Sequence, residues 1–208
     1  TGCSNNSGGG KGVANEDGLV VLNVASTNQP VSFDPADANL VVNEYTEYDC
    51  YDTLLDFNQD GTDVVPALAE SWEQVDDLTY TYKIREGVKF SDGSDLTMDD
   101  VLYSLNRVRE DAYGMSYLFE HVDSFEVDEK TRTLTVHLTQ PDSTWKYVPA
   151  TTPCQILKKS VVEAEGDAYG TNEGSVVGTG PYKFVSWAAD SQIVLEKNEY
   201  WWGGADNL

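Results

Sequence analysis

The sequence predicts an α+β fold, and three stretches carry that prediction. Residues 78–84, LTYTYKI, alternate cleanly, with Leu78, Tyr80, Tyr82 and Ile84 on one side and Thr79, Thr81 and Lys83 on the other, the period-two pattern of a half-buried strand. Residues 98–109 place Val101, Leu105 and Val108 on one stripe, the spacing of a helix with one buried face. In SFEVDEKTRTLTVHL, Phe125 and Val127 precede a turn and Leu134, Val136 and Leu138 follow it, which reads as a hairpin. Helices and strands are intermixed without the repeating strand–helix period of a doubly wound sheet.

The remaining elements follow in order. TGCSNNSGGGKG opens the chain with Ser, Asn and Gly, a composition that behaves as a flexible coil and cannot bury enough surface to order itself. LVVLNVA (19–25) is an apolar run of strand length, and STNQPVSFDPADAN leaves it as a loop with two prolines. Asn43 is a helix cap, and Tyr45, Tyr48, Tyr51 and Leu55 follow at helical spacing until NQDG turns the chain. REG and SDG are turns around a short VKF strand. Thr97 and Asp100 form a capping box with Asp in place of Glu. KKSVVEAEG is a short helix stopped at Gly166, and GTGPYKFVSW and SQIVLEKN are two further strands.

Composition excludes several functions. Thirteen basic against 36 acidic residues give a net charge of −23, which repels nucleic acid and anionic lipid surfaces. No window approaches eighteen apolar residues, so no membrane span is predicted. No HxxxH, HxH or CxxC spacing marks a transition-metal site, and GxSxG is absent. No cofactor is expected. The many adjacent acids, such as Asp76–Asp77 and Asp99–Asp100, are what 36 acidic residues produce by chance. Hydrolysis needs two carboxylates facing one another across a cleft, which adjacency does not give. A secreted carboxylate-dependent hydrolase is therefore the weaker alternative function.

Asp56, Asn58, Asp60 and Gly61 match the first ligand positions of a calcium loop, but Ala67 stands where a bidentate Glu is needed. A surface turn is the preferred reading. Gly178-Thr179-Gly180 runs into Pro181, which suits a turn better than a phosphate cradle. His137 falls on the polar side of its strand. AYGMSYLF (112–119) gathers Tyr113, Met115, Tyr117 and Phe119, either as a core cluster under a loop or as a binding wall. Cys50 and Cys154 form a disulfide in an oxidising compartment or stay as two buried thiols, and the sequence leaves both open. Thr1-Gly2-Cys3 resembles the end of a bacterial lipoprotein signal, and the flexible run behind it suits a tether.

Several stretches together resemble one family. VPALAESWEQVDDLTYTYKIREGVKFSDGSDLTMDDVLYSLNRV (65–108), SFDPADA (32–38) and GTGPYKFVSWAADSQIVLEKNEYWWGG (178–204) are similar, in the same order, to signatures of family 5 extracellular solute-binding proteins. These are the oligopeptide- and dipeptide-binding components of ABC importers. The resemblance implies a two-lobed periplasmic-binding-protein-like fold of class II, of which this chain supplies the first lobe as a fragment. It implies that residues 1–18 are signal remnant and tether, with lipid on Cys3. Residues 19–51 and 158–208 would form a mixed β-sheet domain, and residues 52–157 an inserted α+β domain. It brings Asn39 and Val41 beside an extended ligand backbone and packs Tyr113 on it. Asn39 stands where some relatives carry an acid. The implied protein is a non-enzymatic monomer. It lies outside the cell, lipid-anchored as in Gram-positive bacteria or periplasmic, and delivers peptide or a related small solute to a membrane permease. A single-lobe cell-surface interaction module is the other alternative.

Overall fold

The computed structural model describes residues 13–14, 20–21, 32–37, 49–110, 115–171, 176–188 and 191–204. Strands β1 (Val13–Ala14) and β2 (Val20–Val21) pair antiparallel, as do β3 (Leu55–Phe57) and β4 (Val64–Pro66). Four further strands build the main sheet: β5 (Ala69–Asp76), β6 (Thr79–Ile84), β7 (Val122–Asp128) and β8 (Thr133–Leu138). They are antiparallel in the order β5-β6-β8-β7. β9 (Tyr182–Ala188) and β10 (Gln192–Lys197) form a separate hairpin. Among the described residues, two α-helices are complete: α1 (Met98–Glu110) and α2 (Lys159–Glu165). This is the α+β class read from the sequence.

Two clusters of buried side chains lie side by side. In the larger, the register sets Tyr80 against Val136 and Tyr82 against Leu134, so their side chains share one face of the sheet. Val101, Leu105 and Val108 of α1 join them. The polar tips are satisfied: buried Trp145 donates its indole N–H to the Tyr82 hydroxyl at 3.1 Å. The smaller cluster gathers Phe33, Cys50, Tyr51, Leu157, Val162, Tyr169 and Val176 beneath the β9–β10 hairpin. There Phe33 meets Phe184 and Trp187 edge to face at 5.1 and 5.4 Å.

Helix α1 serves both clusters. Its cap is the predicted one: Asp100 N–H donates to Thr97 Oγ1 at 3.1 Å, and Thr97 N–H donates back to Asp100 Oδ2 at 3.0 Å. Its apolar stripe enters the main core. Its other face carries Asp100, Tyr103, Ser104 and Arg107, three or four residues apart. Asp100 Oδ1 accepts from Lys159 N–H at 3.0 Å, Ser104 Oγ accepts from Leu157 N–H at 2.9 Å, and Tyr103 packs on the smaller cluster.

Several local expectations change. Residues 43–48 lie outside the described residues, but the helix does not run on to Leu55: helical backbone ends at Cys50, and Leu55 opens β3. The carbonyls that would continue the helix are taken by distant chain. Cys50 O accepts from Gly180 N–H at 3.0 Å and Asp52 O from Ile156 N–H at 2.9 Å. Leu78 is exposed in the turn before β6, its N–H donated to Asp76 Oδ1 at 2.8 Å. The VKF stretch is reduced to one bridge between Lys89 and Asp95. Of the strand expected over 19–25, Val20 and Val21 fall among the described residues and are paired. Cys50 and Cys154 are buried thiols with no disulfide between them.

Candidate ligand-binding site

Cys3, Asn39, Val41 and Tyr113, the residues singled out for lipidation and ligand contact, lie outside the described residues. The described chain that precedes them in sequence, residues 32–37 and helix α1, is held by several contacts. Segment 32–37 leads towards Asn39 and Val41. Asp34 donates its N–H to Ser32 Oγ at 3.0 Å, and its Oδ1 accepts from Ala36 N–H at 3.0 Å, starting the 3₁₀ turn Pro35–Asp37. Arg107, in the last turn of α1, donates Nη1 to Asp34 Oδ1 at 2.7 Å and Nη2 to Oδ2 at 2.5 Å. Six residues further on comes Tyr113. The ion pair is nearly buried, with side-chain exposures of 13% for Arg107 and 7% for Asp34.

Around this pair the packing is close. Phe33 N–H donates to Gly170 O at 2.7 Å. Gly170 has φ +77°, and a Cβ there would lie 2.6 Å from Asp34 N, so only glycine fits. The Arg107 guanidinium lies 5.8 Å from the Tyr169 ring centre, and the Tyr169 and Tyr51 hydroxyls are 2.9 Å apart. Burial, with the neighbouring phenol adding to it, holds Tyr51 well above the ordinary tyrosine range.

The second fixed region is where the two clusters meet. Gly178 and Gly180 press on the Cys50 backbone: a Cβ on Gly178 would fall 2.1 Å from Cys50 O, and one on Gly180 2.5 Å from Cys50 C. Close backbone approach therefore explains the GTGP stretch. Buried Asn198 donates its side-chain N–H to Gly180 O at 2.8 Å and accepts from Tyr200 N–H at 3.0 Å. Trp202 donates its indole N–H to Asp52 Oδ2 at 2.8 Å, and Arg85 stacks over its ring at 4.6 Å. Burial pushes Asp52 up to about 7, against the pull of Trp202 and Thr179. The Thr179 hydroxyl faces that carboxyl but falls short of hydrogen-bond geometry. Gln155 is buried with neither end of its amide hydrogen-bonded.

The other sequence candidates separate clearly. Asp56 lies in β3, and Asn58–Gly61 is a surface turn in which Asn58 Oδ1 accepts from Thr62 N–H and Asp63 N–H at 2.8 and 3.2 Å. Among the described residues, no group of three or more His, Cys, Asp or Glu is placed to hold a metal ion. The aromatic stretch divides. Phe119 is buried edge to face with Trp145 at 5.5 Å, Met115 packs on the main core, and Tyr117 is exposed. His137 lies on the partly exposed side of β8, as read. Asp34, Arg107 and Asp52 were missed as structural anchors. Asp34 stood inside a quoted stretch, but the sequence gives no sign that its partner lies 73 residues away.

Comparison with known proteins accounts for this arrangement. Residues 63–208 match the model of bacterial extracellular solute-binding proteins, family 5. The dipeptide-binding protein DppE of Bacillus subtilis is 29% identical, over 97% of this chain and 40% of its own. The periplasmic oligopeptide-binding protein OppA of Salmonella typhimurium is 27% identical, over 85% of this chain and 36% of its own. Haemophilus influenzae OppA, solved in complex with RPPGFSPFR, superposes with a TM-score of 0.73 at 28% identity, over 84% of this chain and 37% of that one. The chain belongs to family 5 of the bacterial extracellular solute-binding proteins. It spans about two fifths of the length of the curated relatives it matches.

Proposed function

We propose that this chain is the first lobe of the extracellular binding component of an ABC importer, and that its ligand is a peptide. The observation that carries the reading is the family match over residues 63–208. Its two signature stretches include the residues that interlock at the junction: Asp100, Ser104 and Arg107 from one, Gly178, Gly180, Asn198 and Trp202 from the other.

In this reading residues 1–18 are the tether, with lipid on Cys3. Residues 19–51 with 158–208 form one domain and residues 52–157 the inserted one. The two core clusters support that division, since the smaller draws on Phe33, Cys50 and Tyr51 and on residues from Val161 to Leu195, with Tyr103 and Leu157 of the inserted unit against it. Asn39 and Val41 run beside the ligand backbone, and Tyr113 packs on it. Relatives named for dipeptide and oligopeptide binding support peptide as the ligand class. The work is capture, closure against an opposite lobe and presentation to a permease; no bond is made or broken, so the protein is not an enzyme. It acts as a monomer outside the cell, held at the membrane or in the periplasm.

The test is to purify the full-length gene product from its own cells without denaturation and identify bound molecules by mass spectrometry. Peptides of a few residues are expected. Haem recovered instead, the ligand in the name of a Haemophilus influenzae relative 29% identical, would overturn the peptide reading.

A further inference from the structure

We propose that Asp52 and Trp202 form a proton-operated latch: the turn of residues 198–204 lies closed against the junction of the two core clusters while the Asp52 carboxyl keeps its proton, and opens when that proton passes to solvent. The proposal does not depend on which ligand the protein carries.

The turn has one firm end. Asn198 donates its backbone N–H to Pro181 O at 2.9 Å and its side-chain N–H to Gly180 O at 2.8 Å. The rest is bonded back on itself: Tyr200 N–H donates to Asn198 Oδ1 at 3.0 Å, Trp201 N–H to Asn198 O at 3.1 Å and Gly204 N–H to Trp201 O at 3.0 Å. It therefore moves as a unit about Asn198. Trp202 carries the far side of that unit across to Asp52, where the indole N–H meets the carboxyl at 2.8 Å.

The surroundings of Asp52 suit a neutral carboxyl. Two groups face it: the Trp202 indole N–H and the hydroxyl of Thr179, which is fully buried and has no hydrogen-bond partner. A protonated carboxyl satisfies both, since Oδ2 accepts from the indole while the acid O–H is donated to Thr179 Oγ1. An ionised carboxylate has lone pairs for about four donors. It finds only these two, and among the described residues no cation pairs with it. Water makes up the shortfall, entering where Trp202 withdraws.

The neighbouring charges do not neutralise it. Asp56, four residues on, is of like charge and favours the proton; Asp49, three residues before, is a second carboxyl raised by burial. Arg85 stacks over the Trp202 ring at 4.6 Å, but its Nε is donated to Ala67 O at 2.6 Å. Glu199, on the turn itself, is paired with Lys183 at 3.0 Å. Burial raises the Asp52 carboxyl to about 7, so the latch changes state in the neutral range.

The experiment uses the full-length gene product with 5-fluorotryptophan placed at position 202, as wild type, Asp52→Asn and Asp56→Asn, titrated between about pH 5 and 9. Near-ultraviolet circular dichroism confirms at each pH that the protein is folded. Two readouts are taken: the position of the fluorine resonance, and its difference between light and heavy water, which reports contact with solvent. In wild type the resonance should shift sigmoidally with a midpoint near 7, and the isotope difference should grow over the same range. Asp52→Asn should abolish both changes. Asp56→Asn should keep them but lower the midpoint, because a like charge has been removed. A flat wild-type resonance, a titration that survives in Asp52→Asn, or a shift without a change in the isotope difference would overturn the proposal. If Asp52→Asn does not fold, Asp56→Asn decides: a lower midpoint supports the latch, and an unchanged one overturns it.

Discussion

The indole N–H of Trp202 donates to the carboxylate of Asp52 at 2.8 Å, 150 residues back along the chain. The bond ties the end of the second family signature to the irregular stretch between Tyr51 of the smaller cluster and Leu54 of the larger. Its acceptor is a carboxyl whose burial raises it to about 7. A folded-state value above the ordinary 3.8 means the folded chain holds this proton more tightly than the unfolded one.

The stability effect has a definite sign. It is greatest below about pH 4, declines as pH rises towards 7 and is level beyond. At about 1.4 kcal/mol per pH unit, a shift of this size is worth at most about 4 kcal/mol. Asp63, Asp128 and Glu199 are held below their ordinary range by hydrogen bonds and act oppositely, below pH 4. Urea unfolding between pH 4 and 7.5 should show a decline in wild type that Asp52→Asn reduces, the remainder coming from Asp49, which burial also raises. An identical pH profile in the variant would rule out Asp52 as its source.

Gly178→Ala should destabilise the chain by about 3 kcal/mol, at the upper end of overpacking costs. The obstruction is the Cys50 carbonyl itself rather than a side chain that swings away. Gly61→Ala makes a useful comparison. It has φ +65° but nothing within 4 Å of the added Cβ, so it should cost only the left-handed backbone strain of about 1–2 kcal/mol. Thermal denaturation of the two variants checks the order.

Replacing Gln155 with Leu should stabilise by about 1–2 kcal/mol. The amide is buried with no partner at either end, and removing an unsatisfied polar group recovers its desolvation cost. A loss of stability would mean that the amide is satisfied in solution, for example by ordered water.

Asp100→Ala should cost about 2–3 kcal/mol, more than the roughly 1 kcal/mol of an ordinary cap. Besides the Thr97 hydroxyl and N–H, it leaves the N–H of Lys159 without its acceptor. Thr97→Ala should cost only the cap. Equal losses in equilibrium unfolding would show that the link to Lys159 carries nothing.

Cys3→Ala should move the protein from the membrane fraction to the soluble one without changing its unfolding midpoint, because the tether composition adds no core. Membrane retention of the variant would count against lipid on Cys3.

What the sequence made legible was whatever rests on local periodicity. β6, β8 and α1 bury one residue in two or one stripe in three to four, and their patterns announce it. β5 did not stand out, because as an edge strand it exposes most of both faces and shows no alternation. The helix expected through Leu55 failed because backbone from residues 156 and 180 takes the carbonyls it would have used. No local pattern encodes such pairing. The same holds for the site: the glycines of GTGP were visible, but that they serve backbone contact with Cys50 depends on chain 128 or more residues away.

The two-faced helix α1 bears on modularity. An inserted segment is often treated as cargo that can be lifted out and transplanted. Residues 52–157, the inserted unit proposed above, would not travel cleanly. Excision would strip α1 of the outside neighbours of Asp100 and Arg107, Lys159 and Asp34, leaving a wet polar seam where a fitted joint had been. A graft of this unit would need either the complementary surface around Asp34 and Lys159 or a redesigned outer face for that helix.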